Sequence, residues 1–313
     1  MKRVLITGGA GFIGSNLARH LLEVHADRNQ EIQVIVFDSL TYAGSLDNLK
    51  FDYLGQSCIF IKADVRNLDE VRKQVSQCDE VYHLAAESHV DRSIVNPNLF
   101  VETNVIGTSN LLLAATEFKV RMVLVSTDEV YGSISHGSSD ESAQVNPSSP
   151  YSASKASADL LALAFYKTYG TNVVITRCAN NFGLNQFPEK LIPLAIRNVS
   201  KGLPIPVYGD GKNIREWIHV KDHCAGLSLV MEKGNTGEIY NFGSGDELEN
   251  IYLVKAILKY MGKGNDYIRF VDDRLGHDQR YSLDSSKVMS TLNWSPTLKL
   301  EASLEELVRA YSV

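Results

Sequence analysis

Cysteine is scarce in this chain: four residues in 313, Cys58, Cys78, Cys178 and Cys224, far apart and without a Cys-x-x-Cys pair. That spacing offers neither a zinc site nor a disulfide framework, so reduced, mostly buried thiols are expected and no metal. No long apolar run opens the chain. Met1 to Ile6 leads straight into a glycine turn, too short for a secretory signal or a membrane span, and the expected location is the cytoplasm. Positive charge is not in excess either: Lys+Arg 31 against Asp+Glu 37 gives a net charge of -6. A nucleic-acid-coating role driven by phosphate neutralisation is therefore disfavoured, and any phosphate contact should be local. Fixed-period repeats and low-complexity tracts are missing, which excludes solenoids, propellers and disordered linkers.

What is present is an alternation. Short β-branched runs, among them Val4-Leu5-Ile6, Val34-Ile35-Val36-Phe37, Ile59-Phe60-Ile61 and Met122-Val123-Leu124-Val125, have the continuous apolar character of strands buried on both faces. Between them, Asn16 to Val24, Leu68 to Val75, Val105 to Phe118 and Ser152 to Tyr169 carry apolar residues at helical spacing. Strand-helix alternation gives right-handed crossovers and a doubly wound parallel α/β sheet. After Arg177 the regularity fails, with prolines at 188, 193, 204 and 206. The expected division is a dinucleotide-binding domain over 1–176, joined by 214–243, and a smaller C-terminal substrate-binding lobe over 177–213 and 244–313.

Gly9-Ala10-Gly11-Phe12-Ile13-Gly14, with Gly8 in front, joins the first strand to the first helix. Glycines allow the tight turn of a Rossmann-type fold, and the helix N-terminus offers free N–H groups to a pyrophosphate. Asp38 closes the second strand, 24 residues beyond Gly14. A carboxylate there accepts from ribose hydroxyls and repels a 2′-phosphate, which points to NAD rather than NADP. Asp64, at the end of the third strand, is placed to meet the adenine edge.

Tyr151 and Lys155 stand at i and i+4 on one helix face. To act as a base near neutrality, a tyrosine needs its pKa moved down by about three units, roughly 4 kcal/mol, which an ammonium and an oxidised nicotinamide could supply. The fifth strand ends Ser126-Thr127-Asp128-Glu129, where ligands of parallel sheets bind. Ser126 or Thr127 can hydrogen-bond the reacting hydroxyl. Simple reduction has no use for two adjacent carboxyls. A crowded pair can keep one proton as an acid while the other group serves as base, which suits elimination of water. His219 and His223, four apart on an expected helix, lack a third ligand for a metal.

With these residues the chain resembles the extended short-chain dehydrogenase/reductases and, within them, the dTDP-glucose 4,6-dehydratases. The likeness is carried by Thr7 to Gly14, Ala85 to Ser93, Ser126 to Gly132, Tyr151 to Lys155, Asn180-Asn181-Phe182-Gly183, Phe187 to Pro193, Tyr208 to Trp217 and Asp273 to Asp278, within about residues 2 to 296. The resemblance implies that Tyr151, with Lys155, takes the C4 hydroxyl proton, that Glu129 removes the C5 proton, and that Asp128 protonates the departing C6 hydroxyl. It further implies NAD contacts from Gly8, Gly11, Phe12, Ile13, Gly14, Asp38, Ser39, Leu40, Thr41, Asp64, Val65, Leu84, Ala85, Ala86, Thr103, Tyr151, Lys155 and Asn181. Ser88, Thr127 and Asn180 would hold the sugar, Lys190 and Arg215 the diphosphate, and Pro206, Tyr208, Asn250, Asp273, Arg274 and His277 the nucleotide side, with Leu191 also among the substrate-binding residues. Homodimers are usual in the family, with 98–118 and 152–169 as candidate interface helices. Leu184, where many relatives have proline, marks a departure in the loop after Asn180. Related epimerases and decarboxylases share the glycines, tyrosine and lysine; Asp128 is the residue that separates them from a dehydratase. A non-catalytic NAD-binding protein would not need Tyr151 and Lys155.

Overall fold

Side chains alternate along a strand, so a strand covered on both faces must feed two cores at once. In the computed structural model, which describes residues 1–51 and 55–312, that is what the parallel sheet does. Its strands are β1 (Lys2–Thr7), β2 (Ile32–Asp38), β3 (Cys58–Lys62), β4 (Glu80–His83), β5 (Arg121–Thr127) and β6 (Val173–Cys178), plus a late strand, Ile239–Phe242. They lie in the order β3-β2-β1-β4-β5-β6 followed by Ile239–Phe242, every neighbouring pair parallel. Val4 and Ile6 join a core with Leu17 and Leu21 of the helix Phe12–Asp27 and with Leu227 and Val230 of the helix Val220–Lys233. Leu5 and Ile35 face the opposite core, with Leu111 of the helix Gly107–Phe118 and Ala158 of the helix Pro150–Tyr169.

The strand order reverses between β1 and β4, and the crevice beyond their carboxyl ends is where a doubly wound sheet receives its ligand. As the sheet's edge, β3 has one strand neighbour and leaves Ile59 37% exposed, unlike the fully covered strand its apolar run suggested.

The lobe has its own core, built on Phe182, Ile196, Trp217, Val254, Ile257 and Leu304. Here the expected division needs correction. Helix Val220–Lys233 and strand Ile239–Phe242 do join the main sheet, but the strand Ile214–His219 pairs with Asn180–Phe182 and Glu247–Glu249 in a separate sheet. Its alternation explains why: Trp217 faces the lobe core while Ile218 faces the core under the main sheet. The strand is a seam shared by both halves.

Candidate active site

The glycine turn is shaped for close approach. A Cβ on Gly8, whose φ is +67°, would stand 2.7 Å from the Ala85 backbone nitrogen, and one on Gly14 would stand 2.7 Å from Gly9 Cα. Gly11 caps the helix Phe12–Asp27 without a side-chain hydrogen bond, so the first-turn N–H groups remain available to an anion. The turn opens on a cavity of about 430 Å³, also lined by Asp38, Ser39, Thr41, Asp64, Val65, Leu84, Ala85, Ala86 and Thr103. These features fit a dinucleotide.

Asp38 has a second duty that the sequence did not reveal. Its Oδ2 accepts from the Ala10 N–H at 3.0 Å and its Oδ1 from the Leu40 N–H at 2.8 Å, fastening the glycine turn to the following loop. Each carboxylate oxygen keeps capacity for a further donor, so a ribose contact remains open. Burial pushes the Asp38 carboxyl up, and the two backbone bonds partly offset this. Asp64 lies beyond the end of β3, and its carboxylate is taken by Arg66, with Nη2–Oδ2 at 2.7 Å. Leu40 does not line the cavity; at φ +53° it packs against the core.

At the other end of the same cavity stand Thr127, Asp128, Glu129, Tyr151 and Lys155, with Ser88, Asn180, Asn181 and Lys190. Thr127 ends β5 and caps the 3-10 turn Asp128–Tyr131, accepting from the Glu129 N–H at 3.3 Å and donating to Asp128 Oδ1 at 3.1 Å. Asp128 is 3% exposed and its other oxygen, Oδ2, has no partner. Burial raises its pKa well above the usual carboxylate range, and the neighbouring Glu129 adds to the effect. Burial also raises Glu129, but Arg215, Lys190 and Arg274 pull it back. Adjacent carboxyls thus meet different environments: burial and its neighbour favour the protonated form of Asp128, and Glu129, also raised by burial, faces cations that favour its charge.

Tyr151 departs from the sequence expectation. Burial and the Glu129 carboxylate raise its pKa well above the usual tyrosine range, with only a hydrogen bond from Thr127 opposing them. Lys155 Nζ donates instead to the Val125 carbonyl at 2.8 Å. The protein alone therefore holds Tyr151 protonated, and the downward shift must come with a positive charge carried in by a ligand. Of the two hydroxyls at the end of β5, Ser126 Oγ is buried without a hydrogen-bond partner and lies beside Asp159, which leaves Thr127 as the hydroxyl that adjoins the carboxyl pair.

Asn180 Oδ1 is buried and unpartnered. Asn181 is spent internally, donating to the Ala179 carbonyl at 3.0 Å and meeting His223 Nδ1 at 2.9 Å, so a cofactor contact there would come from its backbone. His219 is not on a helix but ends its strand and caps the next helix by accepting from the Lys221 N–H at 3.0 Å. Among the described residues no three His, Cys, Asp or Glu side chains gather to hold a metal.

The proposed nucleotide residues lie outside this cavity. Arg215 is 8% exposed, stacks 4.4 Å over the Tyr281 ring and donates to the Ile214 and Asp278 carbonyls, yet has no carboxylate partner among the described residues. Arg274 forms a bidentate clasp with Asp91, at 2.6 and 3.1 Å, and the Tyr208 hydroxyl joins at 3.2 Å. Asp273 pairs with His277 at 2.6 Å. Asn250 Oδ1 is buried without a partner, and Pro206 lies on the strand Ile205–Tyr208 that pairs with Ile268–Val271. Leu191 packs against the lobe core. The Leu184 carbonyl accepts from Asn16 at 3.0 Å, so that loop is tied to the first helix.

Sequence reasoning missed Tyr42 and Glu87. The Tyr42 hydroxyl accepts from the Ser88 N–H at 3.3 Å, its ring meets Phe187 edge-on at 5.4 Å, and Arg92 lies 3.9 Å over its face. Its position four residues beyond Asp38, in the loop covering the cavity, was the available signal.

Comparison with known proteins agrees along nearly the whole chain. Residues 5–307 match the family described as GDP-mannose 4,6 dehydratase. A dTDP-glucose 4,6-dehydratase from Streptomyces niveus is 48% identical over 99% of this chain and 92% of its own length. Another, from Streptomyces antibioticus, is 50% identical over 94% of this chain and 87% of its own. The crystal structure of DesIV, a dTDP-glucose 4,6-dehydratase from Streptomyces venezuelae solved with NAD bound, superposes with a TM-score of 0.96 at 48% identity, covering 99% of this chain and 96% of that one.

Proposed function

The chain belongs to the dTDP-glucose 4,6-dehydratases, within the family described as GDP-mannose 4,6 dehydratase, and from that premise we propose which of its residues performs each step. It is an NAD-dependent lyase that converts dTDP-glucose to dTDP-4-keto-6-deoxyglucose and water. When bound, NAD would supply an acceptor for the C4 hydrogen and its donor back to C6, and its oxidised ring the positive charge that would favour loss of the Tyr151 proton.

Tyr151 takes the C4 hydroxyl proton, and Thr127 holds that hydroxyl in line. The resulting ketone acidifies C5, whose proton Glu129 removes. Asp128 gives its proton to the departing C6 hydroxyl. Arg215 and Lys190 are the counter-charges for the diphosphate, an assignment supported by a buried guanidinium that forms no ion pair with a carboxylate among the described residues. Ser88 and Asn180 hold the sugar, and the segment Asp273 to His277 with Tyr208, Pro206 and Asn250 meets the nucleoside.

The observation that carries this reading is the divided carboxyl pair, a buried Asp128 whose Oδ2 has no partner among the described residues and whose setting favours the protonated form, beside a cation-flanked Glu129. An epimerase has no need of it. Incubation with dTDP-glucose, UDP-glucose and GDP-mannose separately, read by mass spectrometry, tests the conclusion. Loss of one water from dTDP-glucose without added reductant is expected. Unchanged mass of dTDP-glucose, loss of water from UDP-glucose or GDP-mannose in its place, or accumulation of one NADH per sugar would overturn it.

A homodimer is the proposed working form. Its support is the apolar surface on two adjacent helices, where Ile106, Leu113, Leu160 and Tyr166 are 50%, 40%, 55% and 38% exposed. A reducing compartment, the cytoplasm, suits the four free buried cysteines. No helix among the described residues is long and apolar enough to cross a membrane.

A further inference from the structure

Beneath the Tyr151–Lys155 pair lies a charged group that the reaction scheme does not use. On β6, Val173 and Ile175 turn toward the core shared with the helix Pro150–Tyr169, and Arg177, next in that alternation, is a cation at 3% exposure where an apolar residue would be expected. The helix answers it with Asp159, fully buried, whose Oδ2 accepts from Arg177 Nε at 2.9 Å. Tyr151, Lys155 and Asp159 stand at i, i+4 and i+8, so one helix face carries base, ammonium and carboxylate in a row, all buried. The other Asp159 oxygen, Oδ1, has no well-formed hydrogen bond among the described residues, and the Ser126 hydroxyl is the group beside the carboxylate. Arg177 is itself fixed, 4.7 Å over the Tyr131 ring, whose hydroxyl donates to Asn241 Oδ1 at 2.9 Å.

A buried ion pair seldom repays its desolvation compared with an apolar pair of the same volume. Its third neighbour gives it a use. We propose that Asp159 is a positioning residue that keeps Lys155 cationic beneath Tyr151, with Arg177 as the tether that fixes its carboxylate. The inference rests on Lys155 serving Tyr151, as in the reaction above.

The surroundings of Lys155 single out Asp159. The ammonium is buried, which lowers its pKa, and Asp159 is the foremost group opposing that fall. From β5 comes a carbonyl, that of Val125. From β4 comes His83, held neutral with its pKa down to about 3. From β6 come Arg177 and Cys178, a thiol pushed up to about 12. The turn after β5 offers Asp128, whose burial favours its neutral form, and Tyr131. On the helical run 97–118, Glu102 is exposed and paired with Arg66, while Asp91 and Arg92 of the helix Val90–Val95 are engaged at the cleft rim with Arg274 and Glu189. Without the Asp159 charge, Arg177 would lose its carboxylate partner one helix turn beyond the buried Lys155.

The test is the pH profile of kcat for dTDP-glucose dehydration by the NAD-loaded enzyme. Lys155 must stay protonated, so its deprotonation sets an alkaline limb, and lowering its pKa moves that limb to lower pH. In Asp159→Asn the limb should fall by about one pH unit or more, leaving turnover roughly tenfold lower at the alkaline end. In Asp159→Asn/Arg177→Gln, where carboxylate and opposing cation are both gone, the limb should lie between those of the single variant and the parent. Should the single variant not fold, the double variant against the parent still decides. Coincident limbs with only amplitude reduced, or a double variant shifted as far as the single one, would overturn the proposal and leave Asp159 structural. Lys155→Met separates the two readings. If it turns over like the parent, Lys155 has no part in the reaction and the proposal falls with it; if it is impaired while the Asp159 limbs coincide, only the proposal falls.

Discussion

Asp128 and Glu129 share a peptide bond, yet the fold gives one a closed, orphaned setting and the other three cations. Separate roles make them separable by isotope. In Glu129→Gln, exchange of the C5 hydrogen with deuterated water should fall by about the 10²–10⁴-fold typical of a lost general base, and dehydration with it. In Asp128→Asn the base remains, so solvent deuterium should enter recovered dTDP-glucose while elimination stays slow. Equal loss of exchange in both variants, with fold and NAD content kept, would show that the division of roles is wrong. The residue types of this site were legible in the sequence because short motifs carry them. Their electrical state was not. Tyr151 sits where its motif predicts, but its phenol is pushed up by burial and by Glu129, from a strand end distant in sequence.

The helix Pro150–Tyr169 carries both Tyr151 and Lys155, and its first turn holds Tyr151. Ser149 and Ser152 form a reciprocal capping box there, with Ser149 Oγ accepting from the Ser152 N–H at 3.1 Å and Ser152 Oγ from the Ser149 N–H at 3.0 Å. Ser149→Ala should cost about 1 kcal/mol in urea unfolding. Because the frayed turn carries the base, kcat should fall while the KM for dTDP-glucose stays near the parent value; a stability loss with unchanged kcat would show that Tyr151 is held by other contacts. This helix was readable from periodicity. The preceding one was only partly so: its run from Pro97 to Phe118 passes through a π segment, Val101–Ile106. There Asn104 grips the backbone of Glu87 at 2.8 and 3.0 Å and Ser154 Oγ at 2.8 Å, partners that no local pattern announces.

Across the whole molecule, the parallel sheet followed from strand-helix alternation, whereas the interleaving of the lobe did not, because Ile214–His219 looks like any buried strand until its two faces are assigned to different cores. The exposed helix faces yield a prediction at this scale. Leu160→Glu, on a surface position, should leave the monomer folded and move the sedimentation coefficient from dimer to monomer. An unchanged sedimentation coefficient would refute the proposed interface.

On the proposed assignment, most of the groups that grip the nucleotide, Arg215 at the diphosphate and Tyr208, Arg274 and His277 at the nucleoside, lie outside the cavity where bonds change, and Lys190 alone of the diphosphate pair lines it. Dehydration alters only the far carbons of the sugar and leaves that handle untouched. Product and substrate are then held by the same contacts, and the enzyme has little means of favouring release of one over entry of the other. Product inhibition, with an inhibition constant close to the KM, is built into such a layout. An inhibition constant far above the KM would show that contacts at the far carbons of the sugar discriminate between them.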